Sequence, residues 1–189
     1  MPATKKNIKA DHYSLQSGLL LKANIIKNGL DTSRLVNLIT VFSSPEDFKM
    51  AGYPFPPHLF FVSDISFNET VGILINKFNK TKDWAIKQIQ LWYASFNLQR
   101  ISEEHIEKFI PLIREINEAI VKELGESYMI GEEDIRIIAC FLKEGVNIVH
   151  SFDKGFKETC KELNMNIADI PIKDSQREKD IKKKLFGRE

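Results

Sequence analysis

Residues 28–39 read NGLDTSRLVNLI, and the fold turns on what the acid at position 31 is doing there. The stretch that follows, TSRLVNLITVF, repeats its apolar residues at helical spacing, so Asp31 stands where a helix begins and has the side chain of an N-cap. Before it, LQSGLLLKANIIK at 15–27 suits a helix or a strand equally, and Asn28-Gly29 interrupts either one. Working outward, SSPEDFKMAGYPFPPHLF reads as a loop with Pro54, Pro56 and Pro57 close together. LFFVSDI has the dense apolar character of a buried strand, and SFNETVGILINKF has helical spacing. DWAIKQIQLWYASF is a further helix and NLQRI a short strand. SEEHIEKFIPLIREINEAIVKEL reads as a long amphipathic helix capped by Ser102. GEEDIRIIACFLKEG is a helix ended by Gly145, VNIVHSF a strand, DKGFKETCKELN a helix and MNIADIPI a last strand. Strands alternating with helices imply a three-layer α/β domain with parallel pairing.

In such sheets ligands bind at the carboxyl ends of the strands, and four acids fall near those handovers: Asp31, Glu69, Asp134 and Asp153. Each has a purely structural reading. Asp31 caps a helix, Ser66 to Glu69 fits the capping-box pattern, Asp134 follows Glu132 and Glu133 in a first turn, and Asp153-Lys154-Gly155 resembles a turn. The set is harder to explain that way. Asp134 has Ile137, Ile138 and Phe141 at i+3, i+4 and i+7, so it lies on the apolar face of its helix, where a charge needs a partner. Carboxylates gathered without cations repel one another, and a divalent metal resolves the conflict; an oxygen-only donor set favours Mg²⁺ or Mn²⁺ over zinc.

In order and context these residues resemble the PIN-domain ribonucleases. Asp31 with Thr32 and Ser33 matches the family's strand-closing Asp and small hydroxyl residue. Glu69 in SDISFNETVGIL matches its early-helix Glu. EEDIRIIAC carries the D-x-x-I-x-A pattern through Asp134, Ile137 and Ala139, and SFDKGF carries the T-x-D-x-x-F segment through Ser151, Asp153 and Phe156. The resemblance runs from Asp31 to Ile172. It implies an α/β/α fold with a central, mainly parallel sheet and a helical insertion at about 79–101, carrying Trp84, Trp92, Tyr93 and Phe96. Aromatic side chains at that density stack on bases, pack a core or face another subunit.

The resemblance also implies the chemistry: catalytic carboxylates Asp31, Glu69, Asp134 and Asp153 hold one or two Mg²⁺ or Mn²⁺ ions that activate water at a scissile RNA phosphate. Asp31 and Asp134 are then the principal metal ligands, Ser33 orients Asp31, and Ser151 orients Asp153. His150 beside a strand end reads as structural, because metal-activated water needs no histidine base. The implied partners are RNA, a second copy in a homodimer, and an antitoxin or RNA-processing protein. The domain boundaries follow as an N-terminal extension at 1–27, a nuclease domain at 28–172 and a basic tail at 173–189.

Composition narrows the alternatives. The 189 residues, 43% of them apolar, suffice for one buried core. No apolar run approaches the ~20 residues of a membrane span, and MPATKKNIKADHY lacks an apolar signal core, so a soluble cytoplasmic protein away from membranes is expected. Cys140 and Cys160 lack zinc or redox spacing. A net charge of +1 gives no global attraction to nucleic acid, so any basic surface is local. The tail from Lys173 holds seven Lys and Arg against four acids, which suits a solvated helix end or a phosphate-contacting arm. A haloacid-type phosphatase would need a second Asp where Ser33 stands. No G-x-S-x-G elbow or phosphate-binding glycine loop is present. The rival reading is a non-catalytic PIN-like RNA-binding or assembly module.

Overall fold

The structure, a computed structural model, describes residues 25–42, 58–96, 98–169, 183 and 185. The extension up to residue 24, the proline-rich loop at 43–57, the end of the expected last strand at 170–172 and most of the basic tail lie outside those residues. Short apolar strands make one sheet: β1 (Ile26–Leu30), β2 (His58–Ser63), β3 (Gln99–Ile101), β4 (Ile148–His150) and β5 (Asn166–Ile167). All pairings are parallel and the order is β3-β2-β1-β4-β5, with Asn28 between Phe60 and Ile148 and Leu30 beside His150. The helices are α1 (Thr32–Val41), α2 (Asp64–Asn76), α3 (Lys82–Phe96), α4 (Ile110–Leu124), α5 (Glu132–Glu144) and α6 (Lys154–Glu162).

Because successive strand residues point to opposite faces, β2 feeds two cores at once. Phe60 and Val62 pack with α1, with Leu74 of α2, and with Ala85, Ile89 and Trp92 of α3. Phe61 packs on the other side with Ile113 of α4, with Ile137, Ile138 and Phe141 of α5, and with Phe156 and Cys160 of α6. Helices therefore cover both faces of a parallel sheet, the three-layer α/β/α architecture expected from the alternation of elements. Both cysteines are free and buried. Among the described residues, no helix is long and apolar enough to cross a membrane.

Asn28-Gly29 does not break the first element; β1 runs through it and begins at Ile26, inside the expected extension. Gly29 is required because a Cβ there would stand 2.7 Å from Phe141 Cε2, so α5 packs directly on the strand backbone. Asn28 is tolerated in a buried strand because its Nδ2 donates to the Ile26 and Leu59 carbonyls at 3.1 and 3.2 Å. The helix expected from Ser102 begins only at Ile110. Pro111 has no N–H to donate and its ring blocks a preceding turn, so it is accepted only where a helix starts. His105, in the left-handed region at φ 63°, lies in the turns before it.

The insertion's aromatics are core residues. Trp92 is 2% exposed, and Trp84 and Tyr93 pack against the same cluster; the Phe96 side chain lies outside what is described. Of the three described rings only Trp92 is fully buried; Trp84 and Tyr93 are half-buried against the cluster. Leu185 of the basic tail belongs to that cluster as well, and its carbonyl accepts Lys77 Nζ at 2.6 Å while Lys183 is exposed. At Leu185 the tail is packed, so neither the solvated end nor the phosphate arm describes that residue.

Candidate active site

The chain leaves β1 toward β2 on one side and, after β3, returns to place β4 on the other. The crevice between the carboxyl ends of β1 and β4 is thus the topological switch point, where open α/β sheets receive ligands. Asp31 and Ser151 stand there, each one residue beyond its strand, and the Asp31 N–H donates to the His150 carbonyl at 3.3 Å. Asp31 caps α1 by accepting the Arg34 N–H at 2.8 Å. The Ser33 hydroxyl faces both of its oxygens, at 2.8 and 2.9 Å, and Ser151 donates to Oδ2. Ser33 is therefore hydrogen-bonded to Asp31. Ser151 gives its proton to Asp31 rather than to Asp153, and its link to Asp153 is that residue's backbone N–H at 3.0 Å.

The other acids arrive from separate elements. α2 starts at Asp64 under a Ser63 cap, three residues earlier than the capping-box reading places it, so Glu69 lies in the second turn and is free of capping. Its Oε2 accepts the Thr32 hydroxyl. Asp153 caps α6 by accepting the Phe156 N–H at 2.7 Å. Asp134 lies in the first turn of α5, which leads through Gly145, a left-handed cap, directly into β4. A helix joined to a strand by so short a turn runs antiparallel to it, and this brings Asp134 to the carboxyl edge of the sheet.

The electrostatics show how near the four lie to one another. Burial pushes the Asp31 carboxyl up to about 6, against the pull of Ser151, the Arg34 N–H, Ser33 and the Arg34 guanidinium. Asp134 is pushed to about 7, first by burial and then by the negative charges of Asp31, Asp153 and Glu69. Among the described residues, no three Asp, Glu, His or Cys side chains stand close enough together to grip an ion, so the acids share a field rather than form a finished cage. As a donor set they fit a hard divalent cation: every ligand is a carboxylate oxygen, and their repulsion calls for positive charge.

A pH dependence follows, and its sign can be worked out. Asp134 is raised from 3.8 in the unfolded chain to about 7, so the folded state holds the extra proton between those values and stability is lost as pH rises through about 7. His150 acts oppositely. Burial lowers it from 6.5 to about 4, so its contribution is lost as pH falls through that window and is constant above 6.5. Between about pH 4 and 7 the metal-free melting temperature of wild type should therefore fall relative to that of Asp134→Asn as pH rises, and above 7 the gap should stay constant, since Asp31 and His150 are common to both proteins. A melt series in EDTA checks it; an unchanged slope in the variant would remove Asp134 as the source.

His150 is wholly buried, with Nδ1 2.8 Å from the Ala168 carbonyl and Nε2 3.0 Å from Asn28 Oδ1. Both ring nitrogens face acceptor oxygens, of which a neutral ring can donate to only one, and burial pushes the group down to about 4, which fits its structural reading. Two participants escape the sequence reading. Thr32, taken only as part of the motif, holds Glu69. Arg34, read as an ordinary helix residue, is 1% exposed, and its position within the apolar run RLVNLITV was the available signal.

No protein-family model and no curated protein sequence matches the chain. Solved structures do. The VapBC2 complex of Rickettsia felis, bound to a DNA fragment from its promoter, contains a chain that matches at TM-score 0.54 and 15% identity, over 77% of this chain and 100% of that one. VapBC-1 of nontypeable Haemophilus influenzae contains one that matches at TM-score 0.50 and 17% identity, over 76% and 98%. At such identities the likeness shows the fold. A three-layer α/β/α domain with an all-parallel five-stranded sheet is the fold that this chain shares with them. It is the PIN-domain fold that the sequence resemblance implied.

Proposed function

We propose that this protein is a divalent-metal-dependent endoribonuclease that hydrolyses RNA phosphodiester bonds, with Asp31, Glu69, Asp134 and Asp153 holding Mg²⁺ or Mn²⁺. The observation that carries the proposal is Asp134, a carboxyl pushed to about 7 by burial and by three acids from three other elements. Perturbed groups gathered in a switch-point crevice mark chemistry more often than architecture. When bound, the metal supplies a water of lowered pKa and neutralises charge at the scissile phosphate. The chain's own residues do the rest. Ser33 and Ser151 hold both oxygens of Asp31 in one orientation, Thr32 holds Glu69, and the first turn of α6 holds Asp153. The exposed Lys154, next to Asp153, offers a cation to a flanking phosphate.

The likeness to VapBC complexes supports the toxin-type role over dedicated RNA processing, with an antitoxin-like protein as partner; a homodimer as the assembly and the cytoplasm as the site of action complete the proposal. The test is incubation of the purified protein with total RNA in Mn²⁺, Mg²⁺ or EDTA, followed by mapping of new ends. Discrete ends with either ion and none in EDTA are expected. Failure to cut any RNA in either ion would return the protein to the RNA-binding or assembly alternative.

A further inference from the structure

Among the described residues Arg34 is the largest buried charged side chain, at 1% exposure, and it lies three residues from Asp31. A buried guanidinium needs compensation, and here it comes from the segments that follow two other strands. Its Nη2 donates to Asp169 Oδ1 at 2.5 Å, just beyond β5. Its Cζ stands 3.7 Å from the centroid of the Phe152 ring, between Ser151 and Asp153 beyond β4. Meanwhile the Arg34 N–H binds the Asp31 carboxylate, and the Phe152 N–H donates to Ser33 Oγ at 3.2 Å. One side chain on α1 therefore reaches across the crevice and pins both loops on its far side.

We infer that Arg34 is a positioning residue: stacked on Phe152 and ion-paired with Asp169, it sets the separation between Asp31 and Asp153. The inference deepens the metal-site reading and rests on it for its functional consequence. Its geometry concerns the protein without metal. Planarity is what the site uses, because a flat guanidinium covers the Phe152 ring while its edge reaches Asp169. A lysine keeps the charge but presents a compact ammonium that cannot do both.

The experiment compares wild type, Arg34→Lys, Phe152→Leu and Asp169→Asn as full-length chains. In EDTA, amide exchange at Phe152 and Asp153 reports whether the 151–153 loop is held, with the amides of Ile137 to Phe141 in α5 as the internal reference. Arg34→Lys should speed exchange at Phe152 and Asp153 at least about tenfold and leave the α5 amides unchanged, the signature of local opening. Calorimetric titration with Mn²⁺ should show affinity weakened about 10–100-fold, as for loss of an outer-shell support, with smaller losses in Phe152→Leu and Asp169→Asn. Equal slowing or speeding of all amides would make Arg34 a general stability residue and overturn the inference. Full rescue by Arg34→Lys in both measurements would mean that charge alone matters, and would overturn it too. If wild type binds no Mn²⁺, the metal-site reading fails while the exchange comparison still decides the role of Arg34.

Discussion

Glu69→Gln should leave the protein folded and slow single-turnover RNA cleavage at least about a hundredfold, roughly 2.7 kcal/mol of transition-state stabilisation. The substitution isolates charge from shape. Glutamine's carbonyl can accept the Thr32 hydroxyl as Glu69 does now, so the tie between α1 and α2 survives. No cap is lost, since the helix is capped by Ser63, and the Ser66 N–H that Glu69 would serve in a capping box donates to the Ser63 hydroxyl at 3.0 Å. What disappears is one negative charge from the field that raises Asp134. Measurement at saturating protein on one mapped RNA, beside thermal melts, separates the two effects. Wild-type cleavage by the variant would reduce the metal site to three acids.

Among the described glycines, Gly155 should be the one that least tolerates an added methyl, as Gly155→Ala would show. A Cβ at that position would stand 2.2 Å from the Tyr128 carbonyl oxygen, 2.7 Å from its carbon and 2.9 Å from Ile130 Cγ2. Two of those three atoms are backbone and cannot rotate away. They are also anchored, because Asn117 donates to the same Tyr128 oxygen at 3.0 Å and to Thr159 Oγ1 on α6 at 3.1 Å, and accepts the Ile130 N–H at 3.3 Å. The start of α6 must therefore shift outward, and Asp153 caps that start. Overpacking of this kind costs about 3 kcal/mol or more. For a domain of this size that is a loss of about 6–12 °C in melting temperature. Thermal melts of the metal-free variant check the first figure, and weakened Mn²⁺ binding should accompany it. A melting temperature within a degree or so of wild type would show that α6 moves without cost.

These cases show what the residues disclosed and what they withheld. The α5 segment was legible because its apolar stripe and Gly145 are local signals, and Asp134 stood out as a charge on that stripe. The acids near strand ends were legible for the same reason: each sits at a change of period. Gly29 and Gly155 were not, because each answers a distant atom, Phe141 in one case and Tyr128 in the other, and a glycine looks alike in a turn, a strand and a crowded helix start. Pro111 carried the true start of α4, but the amphipathic run around it suggested an earlier one. Arg34 had no local reason to be buried; its reason is Asp169, 135 residues away. Ser151 was assigned to the nearer acid, whereas its hydroxyl reaches Asp31, 120 residues back.

That last span bears on the birth of the protein. β1 pairs with β4 through Asn28 and Ile148, Asp31 accepts the Ser151 hydroxyl, and the core that holds Trp92 also includes Leu185. Contacts between such distant residues must wait for the intervening chain and for the entropy of closing so long a loop. While the polypeptide is still emerging from the ribosome, Asp31 and Glu69 exist without Asp134 and Asp153, and Trp92 without Leu185. The crevice is thus completed only once Ser151 and Asp153 have emerged to meet Asp31.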